Sequence, residues 1–363
     1  MYTAVSVMNS TGRTLAAEGV SSATTPANGY ILFSLHIALS VFILLANALT
    51  VLAFRSTPKL RTQPHLYVLN LVVADGLVGI GCFHCAFKYV RFARSAFDDS
   101  TYLCLVICTL TYLSACESLQ TLLVMAVDRL VYIVYPYRYP GWFTGAHTKL
   151  FIGLSWLGSL VFGAVPVYWH AIGSGTGCRS FRQQDWKYDR FALPIHILAM
   201  LLVTGGCYGK IACVARGQRK KIALQFCLVE RGRVEQRARQ TGGTNESSGE
   251  RTGEDAEPTT SITKSLTMQS ARRSGFSHVT LFVALNCLFA VCWMPFVVHF
   301  FLRGVVRIPQ TVSGYVFFLA MSNSAMNPVV LACKNRHFAR AYRTLLTQRF
   351  GCCSWGGDYS RAV

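Results

Sequence analysis

Three stretches of this chain, Tyr30–Phe54, Thr101–Asp128 and Thr311–Cys333, contain no lysine or arginine at all. Each is longer than the roughly 20 mostly apolar residues that an α-helix needs to cross a bilayer at 1.5 Å per residue. Seven such spans can be read, at about 30–54, 66–87, 102–134, 149–170, 191–215, 274–302 and 311–333. A lipid-facing segment must satisfy its backbone internally, so apolar runs of this length fold as helices. The expectation is an all-α membrane protein, a seven-transmembrane helix bundle. Composition agrees: hydrophobic residues make up 52% of the chain and charged ones only 14%, against roughly 25% charged in soluble proteins. So few charges cannot cover a water-facing surface, which excludes a disordered chain, a nucleic-acid-binding domain and an ordinary cytosolic enzyme.

The net charge of +19 is a matter of placement. Most of the 35 Lys and Arg fall in the first, third and fifth connections and the C-terminal tail, the long fifth connection above all. Positive residues stay on the cytoplasmic side, so the N-terminus is expected outside and the C-terminus inside. Asn9-Ser10-Thr11 is a glycosylation sequon on the outer side of that topology. Cys352-Cys353 follows a basic amphipathic stretch and reads as a palmitoylation site on the inner side. Residues 1–29 form an outer tail, 30–334 the bundle, and 335–363 a short amphipathic eighth helix with a cytoplasmic tail. Within the bundle, 216–273 reads as a largely disordered third inner loop, polar and glycine-bearing around 241–261. Arg216–Lys221 is placed to lie along anionic lipid headgroups.

Ionisable residues inside a bilayer cost several kcal/mol unless paired or hydrated, so each is a functional candidate. Here they are Asp75 in the second span, Glu117 in the third and Asp128-Arg129 at the inner end of the third. Ser118 and Arg129 share one helical face with Thr111, Ala115, Leu122 and Met125. Glu117 is rotated off it, toward a neighbouring helix, either as a hydrogen-bonded carboxyl between helices or as a ligand or proton site. Pro166, Pro295 and Pro328 interrupt the fourth, sixth and seventh spans, where each removes a backbone hydrogen bond and kinks its helix. Cys104 heads the third span and Cys178 lies in the second outer loop. In an oxidising compartment a bridge between them is chemically allowed and would tie the loop over the mouth of the bundle.

Taken in order, the motifs resemble the rhodopsin-like, class A G-protein-coupled receptors over nearly the whole chain. They are Asn47; Leu69 to Asp75; Cys104; Asp128-Arg129-Leu130 with Pro136; Trp156; Cys178; Tyr208; Phe289 with Cys292-Trp293-Met294-Pro295; Asn323-Ser324 with Asn327-Pro328; and Phe338. The resemblance implies a multi-pass plasma-membrane receptor, not an enzyme, whose agonist opens the inner ends of spans five and six to a heterotrimeric G protein, with arrestin and receptor kinases as further partners. It implies that Arg129 contacts the G protein and is held at rest by Asp128. Trp293 and Phe289 would relay ligand contact to the kink at Pro295. Asp75, Ser118, Asn323, Ser324 and Asn327 match the family's sodium pocket, a set of oxygen donors with one carboxylate. The chain departs from the pattern at Leu130 and Leu331, where tyrosines are usual, at Gly275, where an acid often pairs with the arginine, and at Met200, the usual site of a span-five proline.

The same register bears on the ligand. The aminergic aspartate position is Thr111, the retinal lysine position is Met321, and an adenosine-type asparagine position is Phe300. A biogenic amine and a retinal Schiff base are therefore not expected. The pocket expected from this register is lined by Thr111, Tyr112, Phe296, Phe300, Phe317 and Met321, with His196 as a polar contact. That lining suits a lipid-like or otherwise mostly apolar ligand. The outer loops are net cationic, with Lys88, Arg179 and Arg182 among their charges, so a cationic rim would steer an anionic head group or an acidic peptide. The competing readings are a receptor of this fold that binds ligand without coupling, as a scaffold or scavenger, and a transporter. The last lacks the repeats and broken helices that transporters use.

Overall fold

A computed structural model of the chain describes residues 26–90, 101–164, 191–241, 259–302 and 305–350. Seven long helices and one short one follow each other: α1 (Pro26–Ser56), α2 (Gln63–Ala86), α3 (Thr101–Val134), α4 (Gly145–Gly163), α5 (Leu193–Thr241), α6 (Thr259–Leu302), α7 (Gln310–Lys334) and α8 (Arg336–Phe350). All but α4 and α8 are long and apolar enough to cross a membrane by length and composition. Among the described residues there is no strand.

Sequence chemistry sets the ends. Pro64 sits in the first turn of α2, where its missing N–H is not needed. Thr144 caps α4 by accepting from the backbone N–H of His147. Asn335 serves two helices at once. Its extended backbone ends α7, with its N–H donating to Leu331 O at 2.9 Å, and its Oδ1 accepts from His337 N (2.9 Å) and Phe338 N (3.4 Å) to start α8. The buried face of α8, Phe338, Ala341 and Tyr342, packs into the bundle core while Arg336, Arg340 and Arg343 are exposed. Tyr342 OH is 2.9 Å from Thr50 Oγ1 of α1.

Two glycines illustrate how closely the helices approach. A Cβ on Gly79 would stand 2.9 Å from Ile43 Cγ2, so α1 and α2 meet only because that position is bare, and Ser40 Oγ donates to Gly79 O at 2.8 Å. A Cβ on Gly163 would fall 2.6 Å from Leu113 Cα, which fixes α4 against α3. Leu71, Leu119, Leu122, Met125, Leu281, Phe282 and Leu285 fill the centre. Outward, Leu45, Val161, Leu202 and Val291 stay more than half exposed on the spans. An apolar belt of that kind is stable only against lipid.

The segment expected as an inner loop, 216–273, differs from that expectation. Helix α5 continues unbroken to Thr241 and α6 already begins at Thr259. The physical reason is composition: 216–241 is built largely of Arg, Lys, Gln, Ala and Glu, strong helix formers that polarity alone does not distinguish from loop. Asn9, Pro166, Cys178, Arg179, Arg182, Cys352 and Cys353 lie outside the described residues, and with Cys178 the bridge expected to Cys104 of α3.

Candidate functional site

Three clusters stack along the bundle. In the middle, α2 offers Asp75, fully buried. Its Oδ1 accepts from Ser324 Oγ at 2.8 Å and Ser118 Oγ at 3.4 Å, and its Oδ2 from Asn327 Nδ2 at 2.6 Å. Asn47 of α1 reaches the same turn of α7 by donating to Ser324 O at 3.1 Å. Asn323 does not bond Asp75; its Oδ1 is buried without a partner, as is Trp293 Nε1. A carboxylate, two hydroxyls and an orphaned amide oxygen form a donor set suited to a hard cation of low charge. No group of three or more His, Cys, Asp or Glu that could hold another metal occurs among the described residues.

At the C-terminal end of α3, Arg129 Nε donates to Asp128 Oδ2 at 2.7 Å and Arg129 Nη2 bonds the same oxygen. Both side chains are buried. Tyr139, from a single helical turn at Tyr139–Trp142, donates to Asp128 Oδ1 at 2.9 Å and lies 3.5 Å from Arg129 Nη2. Burial, and then the Asp128 carboxylate, push the Tyr139 phenol above its ordinary value, so it remains a donor. On the other side the guanidinium faces the Tyr132 ring at 5.1 Å and the Phe282 ring of α6 at 6.0 Å. Tyr208 of α5 is linked to α6, where Asn286 Nδ2 donates to its hydroxyl at 3.3 Å.

Above Asp75, α6 carries an aromatic ladder. Phe289 stacks on Trp293 (centroids 5.4 Å, 8°), Trp293 meets Phe296 edge-on at 5.2 Å, and Phe296 meets Phe300 at 4.5 Å. Pro295 lies inside this stretch of α6 and Pro328 inside α7. His196 stacks on Phe162 of α4 at 4.1 Å. Met321 is buried, and Tyr112 and Phe317 pack partly buried against the core. Thr111 is spent locally: its hydroxyl donates to Ile107 O at 2.8 Å and it sits against Gly81 of α2.

Residues 46–331 match the family model of the 7 transmembrane receptor (rhodopsin family). The chain belongs to that family. The receptor is 25% identical over 326 residues to the alpha-1A adrenergic receptor of Oryzias latipes, covering 86% of this chain and 66% of the relative. It is 25% identical over 340 residues to human trace amine-associated receptor 6 (88% and 85%) and 24% identical over 333 residues to the human adenosine receptor A2a (86% and 71%). It is a multi-pass plasma-membrane receptor rather than an enzyme.

Three features of the receptor were not singled out by sequence reasoning. Tyr139 carried no signal, because nothing in its spacing marks a loop tyrosine as a partner of Asp128. His36 of α1 is fully buried, with Nδ1 2.8 Å from Leu32 O and its ring among Tyr89, Phe317 and Phe318. Beside it the ammonium of Lys88 lies 4.6 Å from the centre of the Phe317 ring and 5.0 Å from that of Tyr89. The third feature is the completeness of the set around Glu117, which is fully buried where α2, α3 and α4 meet. Its Oε1 accepts from Asn70 Nδ2 (2.6 Å), Ser155 Oγ (2.7 Å) and Thr121 Oγ1 (3.2 Å), its Oε2 from Ser159 Oγ (2.9 Å). Trp156 Nε1 donates to Asn70 Oδ1 at 2.8 Å, which ties the span-four tryptophan to the same network.

Proposed function

We propose that this receptor, with its N-terminus outside, takes a mostly apolar ligand bearing one negative charge and signals it to a heterotrimeric G protein. The observation that carries the ligand class is Lys88, whose ammonium rests over Phe317 and Tyr89 beside the pocket residues of α7. Its counterpart is the use already made of the span acids: Asp75 and Glu117 are each enclosed by neutral donors of neighbouring helices. The relatives are named for adrenergic ligands, trace amines and adenosine, yet Thr111 offers no carboxylate to a cationic ligand. A cation at the mouth and aromatic walls below suit a carboxylate on an apolar chain.

A fatty-acid panel scored with Gα biosensors tests this. A long-chain acid is expected to activate and its methyl ester not to. Lys88→Ala should lower the acid's potency at least 10-fold, the scale of one charge-assisted hydrogen bond of about 1.5–3 kcal/mol. Equal responses to acid and ester would overturn the ligand class.

The sodium ion expected at Asp75 fits the residues present. Asp75, Ser118, Ser324 and Asn323 Oδ1 would hold it, and the ion would supply charge neutralisation to a carboxylate otherwise buried with neutral donors. An ion at ten times its Kd stabilises the state that binds it by about 1.4 kcal/mol. Solubilised receptor should therefore melt higher in sodium chloride than in choline chloride, and Asp75→Asn should abolish the difference. A difference that persists in the variant would place any sodium effect elsewhere.

Coupling rests on Arg129. At rest it is closed in by Asp128, Tyr139, Tyr132 and Phe282, and on release it would face the space between α5 and α6. Leu331, fully buried in α7, supplies no hydroxyl to Tyr208, which is held by Asn286 instead.

A further inference from the structure

Large apolar side chains are exposed in two settings in this molecule. Most lie on the spans, where lipid covers them. A second set stands on the extension of α5: Leu224 (62% exposed), Leu228 (60%), Val229 (55%) and Val234 (59%). The apolar, membrane-length part of α5 is Leu193–Gln218. At 1.5 Å per residue, Leu228 stands about 15 Å and Val234 about 24 Å beyond Gln218 along one continuous helix. These side chains are therefore carried away from the bilayer, into water.

Their register has a pattern. Lys220 and Lys221, then Leu224, then Cys227 and Leu228, then Arg231 follow at three- and four-residue steps, so they form one stripe. Two apolar turns are bracketed by cations, and all six residues are exposed. Between Arg216 and Thr241 the helix carries eight Lys and Arg against two Glu.

The charge selects the occupant. A second copy of the same helix would bring eight cations against eight. The 242–258 segment has acids but no Leu, Ile, Val, Phe or Met with which to cover the stripe. We propose that α5 between Lys220 and Arg231 is a docking helix for an acidic cytoplasmic protein that clasps an amphipathic helix in an apolar groove, of the calcium-loaded EF-hand type. Leu224 and Leu228 enter the groove, and the bracketing cations meet its acidic rims. The proposal rests on the orientation given above, with the C-terminal end of α5 inside. Binding is read on purified receptor, so it succeeds or fails independently of ligand class and G-protein coupling.

The test uses full-length receptor in neutral-lipid nanodiscs, with calcium-loaded calmodulin as the probe. Binding is expected at micromolar concentration or tighter, with loss on calcium chelation. Cys227, exposed on the stripe, should be shielded from maleimide when the probe is bound, as read by peptide mass spectrometry. Leu224→Asp with Leu228→Asp should weaken binding at least 10-fold while leaving the melting temperature unchanged, since both side chains are exposed. Absence of binding overturns the proposal. So does binding that the double variant retains, which would be charge attraction alone. Shielding of Cys227 by anionic nanodiscs without the probe would assign the stripe to the membrane and equally overturn it.

Discussion

Replacing Glu117 by alanine is expected to lower the stability of the solubilised receptor by about 3 kcal/mol, because several buried donors lose their acceptor together. Asn70, Thr121, Ser155 and Ser159 all turn toward that one carboxyl. They come from three helices, so the loss loosens the seat of α4 as well as leaving polar groups unpaired. Glu117→Gln keeps one carbonyl acceptor and brings a donor that Ser159 Oγ can accept, and should fall within about 1 kcal/mol of wild type. Thermal unfolding of matched preparations reads both. An alanine variant as stable as wild type would show that the network contributes no net stability and that Glu117 is kept for another reason.

Asp128→Asn should raise ligand-free nucleotide exchange several-fold, and Arg129→Ala should silence exchange with or without ligand. The resting enclosure of Arg129 is short-range: the neighbouring residue on its own helix, one loop tyrosine, and rings. α6 (Thr259–Leu302) contains no Asp or Glu, and the ion pair that Arg129 makes is with Asp128 of its own helix. Removing the carboxylate's charge frees both the guanidinium and Tyr139, a change of about 1.5–3 kcal/mol in the balance of resting and active packings. Tyr139→Phe removes only one bond to Asp128 and should lie between wild type and Asp128→Asn. Basal activity measured at matched surface expression, across a panel of Gα proteins, orders the three. If Asp128→Asn leaves exchange at the wild-type level, the enclosure does not set the resting state.

The bundle was legible because bilayer thickness writes itself into the chain as apolar runs, and α1, α2, α3 and α7 lie close to their expected spans. The Asp75 cluster was legible in two ways: a carboxylate is so costly in lipid that Asp75 stands out singly, while Ser324 and Asn327 were marked by the resemblance of the α7 motif to the family's. Meeting across α2, α3 and α7 is then the simplest way for them to be satisfied. Glu117 was visible as an oddity, but its partners were not, since serines on α4 are ordinary in sequence and gain meaning only by facing it. Tyr139 left no trace, because a hydrogen bond from a loop depends on where a single helical turn points. The α5 extension was misread for the opposite reason. Charged, glutamine-rich sequence is compatible with both loop and helix, and continuity with a membrane-anchored helix supplies the nucleation that an isolated segment lacks.

Asn335 gives α7 and α8 a common joint. One side chain starts α8, the same residue's backbone closes α7, and its Nδ2 lies 3.2 Å from His65 Nε2 on α2. There is no slack residue between the two helices. A rotation of α7 about Pro328 is therefore transmitted to α8 as a swing, or else it pulls Asn335 away from His65. With the C-terminal end inside, as proposed, the exposed arginines of α8 would meet the inner leaflet, and lipid charge would become a mechanical load on the same movement.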